Sequence, residues 1–267
     1  MINFDRFPNN KRKALTMSYD DGKIYDRQLV KIFDKYEIKG TFHINAGYLH
    51  RPERINKEEV KELFKNHEIA AHGYTHQSLG ITPRENMISE IIKDREALEA
   101  IAEYPVRGMS YPNGLYDDTV ISALKACGIE YSRVMETHKD FSIPNDFYKW
   151  QATVRNTENL MEMGEKFLEL PYKNRMRLMY VWGHSKEFEE DGGWQLIEKF
   201  CEMMSYKDDI WYASNIEIVD YINSLKSLKF SADCKMVKNP TAYDLWISVD
   251  EEPVKLSAGS LTYIGKN

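Results

Sequence analysis

Short apolar runs alternate with longer stretches of helical periodicity along the first two thirds of the chain. The runs predict β-strands because they are brief and bounded by turn residues. The predicted strands are Lys13–Tyr19, Gly40–Ile44, Ile69–Ala71, Val106–Tyr111 and Arg177–Trp182. Between and after them, apolar residues recur at three- and four-residue spacing, which predicts helices that bury one face. These helices are predicted at Gln28–Tyr36, Lys57–Asn66, Pro83–Ile101, Asp118–Cys127, Trp194–Met204 and Ile216–Ser224.

Repeated strand–helix units predict an α/β fold with a parallel sheet covered by helices, either open or closed into a barrel. The pattern changes after residue 228. Alternating apolar and polar positions, as in Tyr243–Val249, and turns at Asn239-Pro240 and Ala258-Gly259 are typical of β-hairpins. We therefore predict a main domain over residues 1–228 and a small C-terminal β-hairpin appendage over residues 229–267.

The composition excludes several classes of protein. Of the 267 residues, 42% are hydrophobic and 29% are charged, which is typical of a globular chain and not of a disordered one. The formal net charge of −6, without a basic stripe, argues against nucleic acid as a partner. No run approaches the roughly 18 apolar residues of a membrane-spanning helix, so we expect no membrane partner.

The cysteines and the N-terminus bear on the compartment. Cys127, Cys201 and Cys234 are few and scattered, so we expect reduced thiols and no disulfide framework. Residues 1–8 lack the apolar core of a signal peptide, which favours a cytoplasmic protein, although a removed leader would leave the same sequence. The sequence does not predict an oligomeric state.

Two acidic residues and two histidines follow predicted strands. Asp20 and Asp21 end the first strand, and His72 and His76 follow the third. One carboxylate and two imidazoles make a three-ligand metal site with an open position, and a second carboxylate beside it can act as a general base. Taken alone, Asp-Asp-Gly is typical of a solvated turn, and the histidines could be a helix cap and a surface residue. The carboxyl ends of parallel strands nevertheless share one edge, where functional residues collect.

Two further strand ends belong to the same predicted edge. The segment Tyr111–Gly114 forms a turn whose backbone N–H groups could face an oxyanion, or it is a plain tight turn. His184 follows an apolar strand and lies near Trp182. A histidine there can be a general acid because its pKa is close to neutral, and the alternative is a structural histidine.

The order of these motifs resembles the polysaccharide deacetylase family, which is built on the NodB homology domain (carbohydrate esterase family 4). Ser18–Gly22 stands where the family usually has Thr-Phe-Asp-Asp-Gly, and Lys39–Phe42 matches its Ala/Gly-Thr-Phe strand. His72–His76 keeps the spacing of the His-(Ser/Thr)-x-x-His motif, with glycine in place of the hydroxyl residue. Ser110–Gly114 represents the Arg-Pro-Pro-Tyr-Gly motif, and His184 is the histidine of the fifth motif. The resemblance spans roughly residues 13–221 and excludes the appendage.

The resemblance implies a deformed (β/α) barrel with a divalent metal, most often zinc, that removes N-acetyl groups from an amino-sugar oligo- or polysaccharide. Asp21, His72 and His76 would bind the metal, Asp20 would be the general base, and His184 would protonate the departing amine. The backbone N–H of Asn113 would hold the oxyanion. Trp182 stands where a leucine that lines the acetyl pocket is common, and Tyr111 and Trp182 would contact the sugar.

Two departures from the family pattern concern supporting residues. The family arginine that pairs with the base aligns with Ser110, so Arg107, Arg133 or Arg155 would have to replace it. The family's fourth motif, an Asp and a Trp that position the catalytic histidine, is placed at Asp146 and Trp150. His43 ends the second strand and is interpreted as a satisfied core histidine or as a pocket residue.

Two other functions are compatible with the same residues. The missing arginine and the absent export signal favour a small amide, imide or ureide as substrate, because fold does not determine function. A catalytically silent carbohydrate-binding relative is the third hypothesis. Such a relative is expected to lose a ligand or the base, whereas this chain retains all four residues.

Overall fold

The computed structural model describes residues 1–171, 175–189 and 192–265. The strands are β1 (Ile2–Asn3), β2 (Lys13–Asp20), β3 (Gly40–Ile44), β4 (Glu68–Ala71), β5 (Gly108–Ser110), β6 (Tyr131–Thr137), β7 (Trp150–Ala152), β8 (Val154–Arg155), β9 (Arg177–Gly183), β10 (Ile210–Tyr212), β11 (Lys229–Phe230), β12 (Met236–Lys238), β13 (Leu245–Val249), β14 (Glu252–Leu256) and β15 (Leu261–Tyr263). The α-helices are α1 (Asp26–Lys35), α2 (Val60–Leu63), α3 (Arg84–Ala102), α4 (Asp118–Ala126), α5 (Leu160–Glu169), α6 (Gly193–Met204) and α7 (Asn215–Lys226).

The central sheet is parallel and follows the order β7-β6-β5-β4-β3-β2-β9-β8. β9 pairs along one side of β2, while β10 and β3 pair with the first and second halves of its other side. Thr153 alone separates β7, which pairs with β6, from β8, which pairs with β9, and its N–H donates to the carbonyl of Tyr180. The two ends of the sheet therefore meet at Thr153, and the predicted deformed (β/α) barrel is confirmed.

Side chains of β2 alternate between two environments because successive residues of a strand point to opposite faces. Leu15, Met17 and Tyr19 belong to the larger apolar core beneath the helices. Thr16 and Asp20 point the other way and bond polar side chains of other elements. The alternation of side chains along the strand therefore points the Asp20 carboxylate into the barrel.

The N-terminus of α7 closes the end of the barrel where the strands begin. The backbone N–H of Asn215 donates to Thr41 Oγ1 at 2.9 Å, and that of Ile216 donates to Glu68 Oε2 at 2.9 Å. Tyr131 Oη donates to Glu68 Oε1 at 2.8 Å. A carboxylate at a helix N-terminus satisfies N–H groups that have no partner within the helix.

The C-terminal residues form two small antiparallel sheets, β1-β13-β14 and β11-β12-β15. The N-terminal strand β1 joins the first of them through Ile2 opposite Val249. Leu245, Ile247 and Leu256 share an apolar cluster with barrel residues. The predicted β appendage is thus present and packs on the barrel, while the boundary at residues 228/229 stays a prediction.

Four strands of the barrel were not predicted from the sequence: β6, β7, β8 and β10. β6 carries Arg133 and Glu136, and β8 ends in Arg155, so neither shows a clean apolar pattern. Tertiary pairing overrides a weak local signal here. All three cysteines are free, as expected, and no helix in the described ranges is long and apolar enough to cross a membrane.

Candidate active site

The predicted site residues lie at the edge where the parallel strands end. Asp20 is the last residue of β2, His72 directly follows β4, and His184 directly follows β9. The turn that contains Asn113 follows β5. Parallel pairing brings these ends together although they are far apart in the chain, as expected for an α/β sheet.

Asp21, His72 and His76 form a group that could hold a metal ion. One ligand atom from each lies within 4.8 Å of the others, and His76 Nε2 is 3.7 Å from Asp21 Oδ1. Asp21 (φ 85°) and His76 (φ 58°) adopt left-handed backbone conformations, each of which costs about 1 kcal/mol for a residue other than glycine. Such strain is a common feature of functional sites.

The state of His72 suits a metal ligand. Its Nδ1 lies 3.0 Å from the carbonyl and 2.7 Å from the hydroxyl of Ser110, which leaves Nε2 for a metal. Burial lowers the pKa of His72 to about 4, so the imidazole is neutral as a metal requires. The hydrogen bond to Ser110 fixes the tautomer, as partners of metal-binding histidines usually do.

Asp20 is buried beside an arginine that the sequence named only as an alternative. Arg133, on β6, contacts Asp20 Oδ2, and Ser110 Oγ donates to Asp20 Oδ1 at 3.0 Å. Burial raises the pKa of Asp20, but the charge of Arg133 and the nearby His72 outweigh it and hold that pKa well below its usual range. Asp20 is therefore an ionised carboxylate in a dry site.

Arg107 does not reach Asp20, which corrects its prediction as a supporting residue. Its guanidinium forms two hydrogen bonds to Asp220, of 2.8 and 2.7 Å, and one to Glu130, of 3.0 Å. Arg107 precedes β5 and therefore lies near the opposite end of the barrel. Arg133 reaches Asp20 because the strand pleat points its side chain inward at the level of Ser110.

His184 is held by a residue that sequence reasoning missed. Its Nδ1 is 3.0 Å from Glu187 Oε1, and Arg155 donates to the same carboxylate. Burial lowers the pKa of His184, but the hydrogen bond to Glu187 and the charges of nearby carboxylates outweigh it, so the pKa is raised. Glu187 itself has a pKa of about 2. A carboxylate three residues after a strand-end histidine is the signal that could have identified it.

Asp146 and Trp150 have other roles, which corrects their placement beside His184. Asp146 accepts a hydrogen bond from the backbone N–H of Tyr148 at 2.9 Å and so caps a short 3-10 helix. Trp150 is fully buried and packs against Tyr131 and Tyr180 in the second apolar cluster. Glu187 occupies the supporting position instead.

The proposed substrate-contacting residues differ in exposure. Tyr111 is buried, stacks on Tyr116 at 4.7 Å between ring centroids, and donates to the carbonyl of Tyr148. Asn113 is exposed at the mouth of the site. Trp182 is 3% exposed, and its ring lies 4.1 Å from the Arg133 guanidinium. Tyr111 therefore supports the turn, and Trp182 packs against the arginine that contacts Asp20.

His43 is a core histidine with one satisfied nitrogen. Its Nδ1 lies 3.3 Å from the carbonyl of Ala71, whereas the buried Nε2 has no hydrogen-bond partner in the described residues. Burial lowers the pKa of His43 to about 3, so the ring stays neutral beneath Asp20.

Solved structures with similar folds cover most of this chain. A Mycobacterium smegmatis protein assigned to the polysaccharide deacetylases covers 82% of this chain and 93% of its own, with a TM-score of 0.61 and 16% identity. An allantoinase covers 80% and 91%, with a TM-score of 0.60 and 12% identity. A Bacillus anthracis pseudoenzyme of carbohydrate esterase family 4 covers 80% and 67%, with a TM-score of 0.51 and 17% identity. At these identities the similarity shows the fold alone.

The sequence comparisons bear on the family that the chain resembles. A poly-β-1,6-N-acetyl-D-glucosamine N-deacetylase of Staphylococcus aureus strain MRSA252 is 25% identical over 162 residues, which are 54% of this chain and 54% of the relative. The chain thus spans about half the length of the curated relatives that it matches. The model of the polysaccharide deacetylase family matches residues 8–132. The resemblance predicted from the sequence is thereby confirmed over residues 8–132, where the chain is similar to the polysaccharide deacetylase family.

Proposed function

We propose that this protein is a metal-dependent hydrolase that removes N-acetyl groups from an amino-sugar oligo- or polysaccharide. The observation that supports it best is the grouping of Asp21, His72 and His76 beside an ionised Asp20, with His184 held by Glu187. The deacetylase named among the relatives acts on a polymer of N-acetyl-D-glucosamine, which supports this substrate class.

The donor set fits a divalent transition metal, and zinc is the ion that we propose. Two imidazoles and one carboxylate are typical of catalytic zinc, with a fourth position left for water or substrate. Asp21, His72 and His76 would hold the ion. When bound, such an ion polarises a carbonyl and lowers the pKa of water.

The remaining residues divide the acid–base work. Asp20 accepts the proton of the attacking water as the water oxygen bonds to the acetyl carbon. The backbone N–H of Asn113 donates to the developing oxyanion. His184 then gives its proton to the amine nitrogen as the C–N bond breaks, which yields acetate and the free amino sugar. The raised pKa of His184 and the lowered pKa of Asp20 suit an acid and a base that act together.

Acetate release from N-acetyl-glucosamine oligosaccharides tests this proposal, with metal content measured in the same samples. Asp20→Asn should abolish most of the release while the bound metal stays constant, since the roles of base and ligand are separate. His72→Ala should lose the metal and the activity together. Full metal-dependent release by both Asp20→Asn and His184→Ala would show that the roles are assigned wrongly.

The two alternative functions are tested by the same preparation. A small amide or ureide as substrate remains a candidate because an allantoinase shares the barrel. Hydrolysis of small cyclic amides without acetate release would favour it. The silent binding protein would bind sugar and hydrolyse neither substrate, a result that the retained base, acid and ligand set argue against.

A further inference from the structure

The loop from His72 to His76 is attached to helix α3 by a buried carboxylate. Asp94 Oδ2 accepts a hydrogen bond from the backbone N–H of His72 at 2.8 Å. Its other oxygen, Oδ1, accepts one from the backbone N–H of Ala46 at 2.7 Å. Asp94 therefore joins the first histidine of the loop to the turn that follows β3.

A second carboxylate of α3 holds the other half of the loop. Glu90 Oε2 accepts a hydrogen bond from the backbone N–H of Thr75, and Glu90 Oε1 accepts one from the Thr75 hydroxyl, both at 2.7 Å. Glu90 and Asp94 are four residues apart, so they project from the same face of α3. Asp94 thus bonds the backbone of His72 itself, and Glu90 bonds Thr75, the residue before His76.

The carbonyl groups of the loop are bonded from the opposite side. Asn45 Nδ2 donates to the carbonyls of His72, at 2.6 Å, and Gly73, at 2.8 Å. Tyr48 Oη donates to the carbonyl of Thr75 at 2.7 Å. The loop is therefore held between α3, which accepts its N–H groups, and the turn after β3, which donates to its carbonyls.

These contacts matter because the loop has little structure of its own. Gly73 adopts φ 74° and has no side chain that could bond the loop, whereas the related family motif has a hydroxyl residue there. Asp94 is completely buried and Glu90 is 7% exposed. A buried carboxylate is costly unless hydrogen bonds satisfy it, so the acids and the loop depend on each other.

We propose that Glu90 and Asp94 are positioning residues that hold the backbone of residues 72–76 so that the two imidazoles can bind one divalent metal. This inference rests on the metal site of the proposed function but not on the substrate. The acids act through the backbone and do not touch the metal. No side chain after the first histidine can hold this loop, because that residue is Gly73. Glu90 and Asp94 hold it instead.

Zinc affinity of the metal-stripped full chain tests the proposal, measured by competition with a chromophoric chelator. Asp94→Asn and Glu90→Gln keep side-chain size but place an N–H₂ group where an acceptor is needed. We expect each to bind zinc about 10- to 100-fold more weakly, the usual effect of losing a partner of a metal ligand. Glu96→Gln, an exposed residue of the same helix, should bind zinc as the unaltered chain does.

Urea unfolding of the metal-free variants separates positioning from general stability. The proposal is overturned if the variants unfold more easily but keep the zinc affinity of the unaltered chain. If Asp94→Asn does not fold, Glu90→Gln and Thr75→Val, which lacks one donor to Glu90, still test it. Weaker zinc binding without any acetate release from the unaltered chain would support the inference and contradict the proposed function. Absence of zinc binding by the unaltered chain would contradict both.

Discussion

The adjacent carboxylates Asp20 and Asp21 have different surroundings, and this difference supports the roles proposed for them. Asp20 is 3% exposed and contacts Arg133 and Ser110. Asp21 is more open, faces His76, and its backbone carbonyl accepts a hydrogen bond from Arg54. Both oxygens of Asp20 already have partners, so Asp21, which is more open and lies beside His76 as well as Arg54, is the better candidate for a metal ligand.

Arg133→Met should move the acid limb of the pH profile of kcat/KM to higher pH. Without the arginine, burial dominates and raises the pKa of Asp20, so the base becomes protonated, and inactive, at higher pH than before. At neutral pH we expect a loss on the order of 100-fold, as for removal of a general base. Arg107→Met is the matched control, because that arginine pairs with Asp220 and should leave the profile unchanged. Equal profiles for the two variants would contradict the assignment.

Glu187→Gln should move the alkaline limb of the same profile to lower pH. Glu187 stabilises protonated His184 and raises its pKa above the usual value. An amide removes that charge, so the pKa falls and the acid loses its proton earlier as pH rises. Above the new limb, activity should fall roughly tenfold per pH unit. Glu189→Gln, an exposed neighbour, is the control. If the alkaline limb of Glu187→Gln lies at the same pH as in the unaltered chain, another group is the acid.

At the scale of elements, the N-terminus of α7 meets a carboxyl group that burial keeps partly protonated. Burial raises the pKa of Glu68 from 4.5 to about 7, although the hydrogen bonds from Ile216, Tyr131 and Thr41 act in the opposite direction. The folded protein therefore binds a proton here that the unfolded chain releases above about pH 4.5. Stability from this group is complete below that pH and is lost as pH rises through about 7.

Glu68→Gln should reduce the fall in unfolding free energy between about pH 4.5 and 7. The amide does not titrate, so about 3 kcal/mol of the pH dependence should disappear, and it accepts with one oxygen where the carboxyl group has two, which lowers stability at every pH. Urea unfolding at several pH values measures it. Burial also raises the pKa values of Asp26 and Asp94, and both chains share that pH dependence. Only the difference between Glu68→Gln and the unaltered chain therefore reports on Glu68. If the unfolding free energies of Glu68→Gln and of the unaltered chain change with pH in parallel, Glu68 is not a buried acid with a raised pKa.

For the whole molecule, the C-terminal sheets share a core with the barrel. Leu245, Ile247 and Leu256 are fully buried in one cluster with Trp150 and Tyr180. An appendage with a separate core would unfold by itself, whereas a shared cluster couples the two parts. We therefore expect one cooperative transition for residues 1–265.

Leu245→Ala should lower the free energy of unfolding by about 2–5 kcal/mol, as for a leucine in a single core. Tryptophan fluorescence and far-ultraviolet circular dichroism should report the same urea midpoint, because both parts unfold together. Leu261→Ala is the control, since that side chain is 65% exposed in the same appendage. If the appendage of Leu245→Ala unfolded at a lower urea concentration while the barrel kept its midpoint, the two parts would not share a core.

Most of the architecture could be predicted from local sequence patterns. Strand and helix periods are properties of short segments, so β2, β3, β4 and β9 and the helices α1, α3, α4, α6 and α7 are visible in the chain itself, whereas α5 was not predicted. The residues at the ends of those strands can be predicted to lie near each other, because the carboxyl ends of parallel strands share one edge of the sheet. Asp20, Asp21, His72, His76 and His184 were found in this way.

The supporting residues were decided by the tertiary structure. Arg133 lies 113 residues from Asp20, on a strand with no clear apolar pattern, and only the register of the barrel brings it inward. Glu187 reaches His184 through a turn of 3-10 helix, and Glu90 and Asp94 reach the loop of residues 72–76 from a neighbouring helix. The sequence by itself determined which residues have the chemistry of the site. The packing of distant segments decided which residues set the charge and position of these site residues. Contacts between distant segments produce no periodic pattern in the sequence, so they could not be predicted from it.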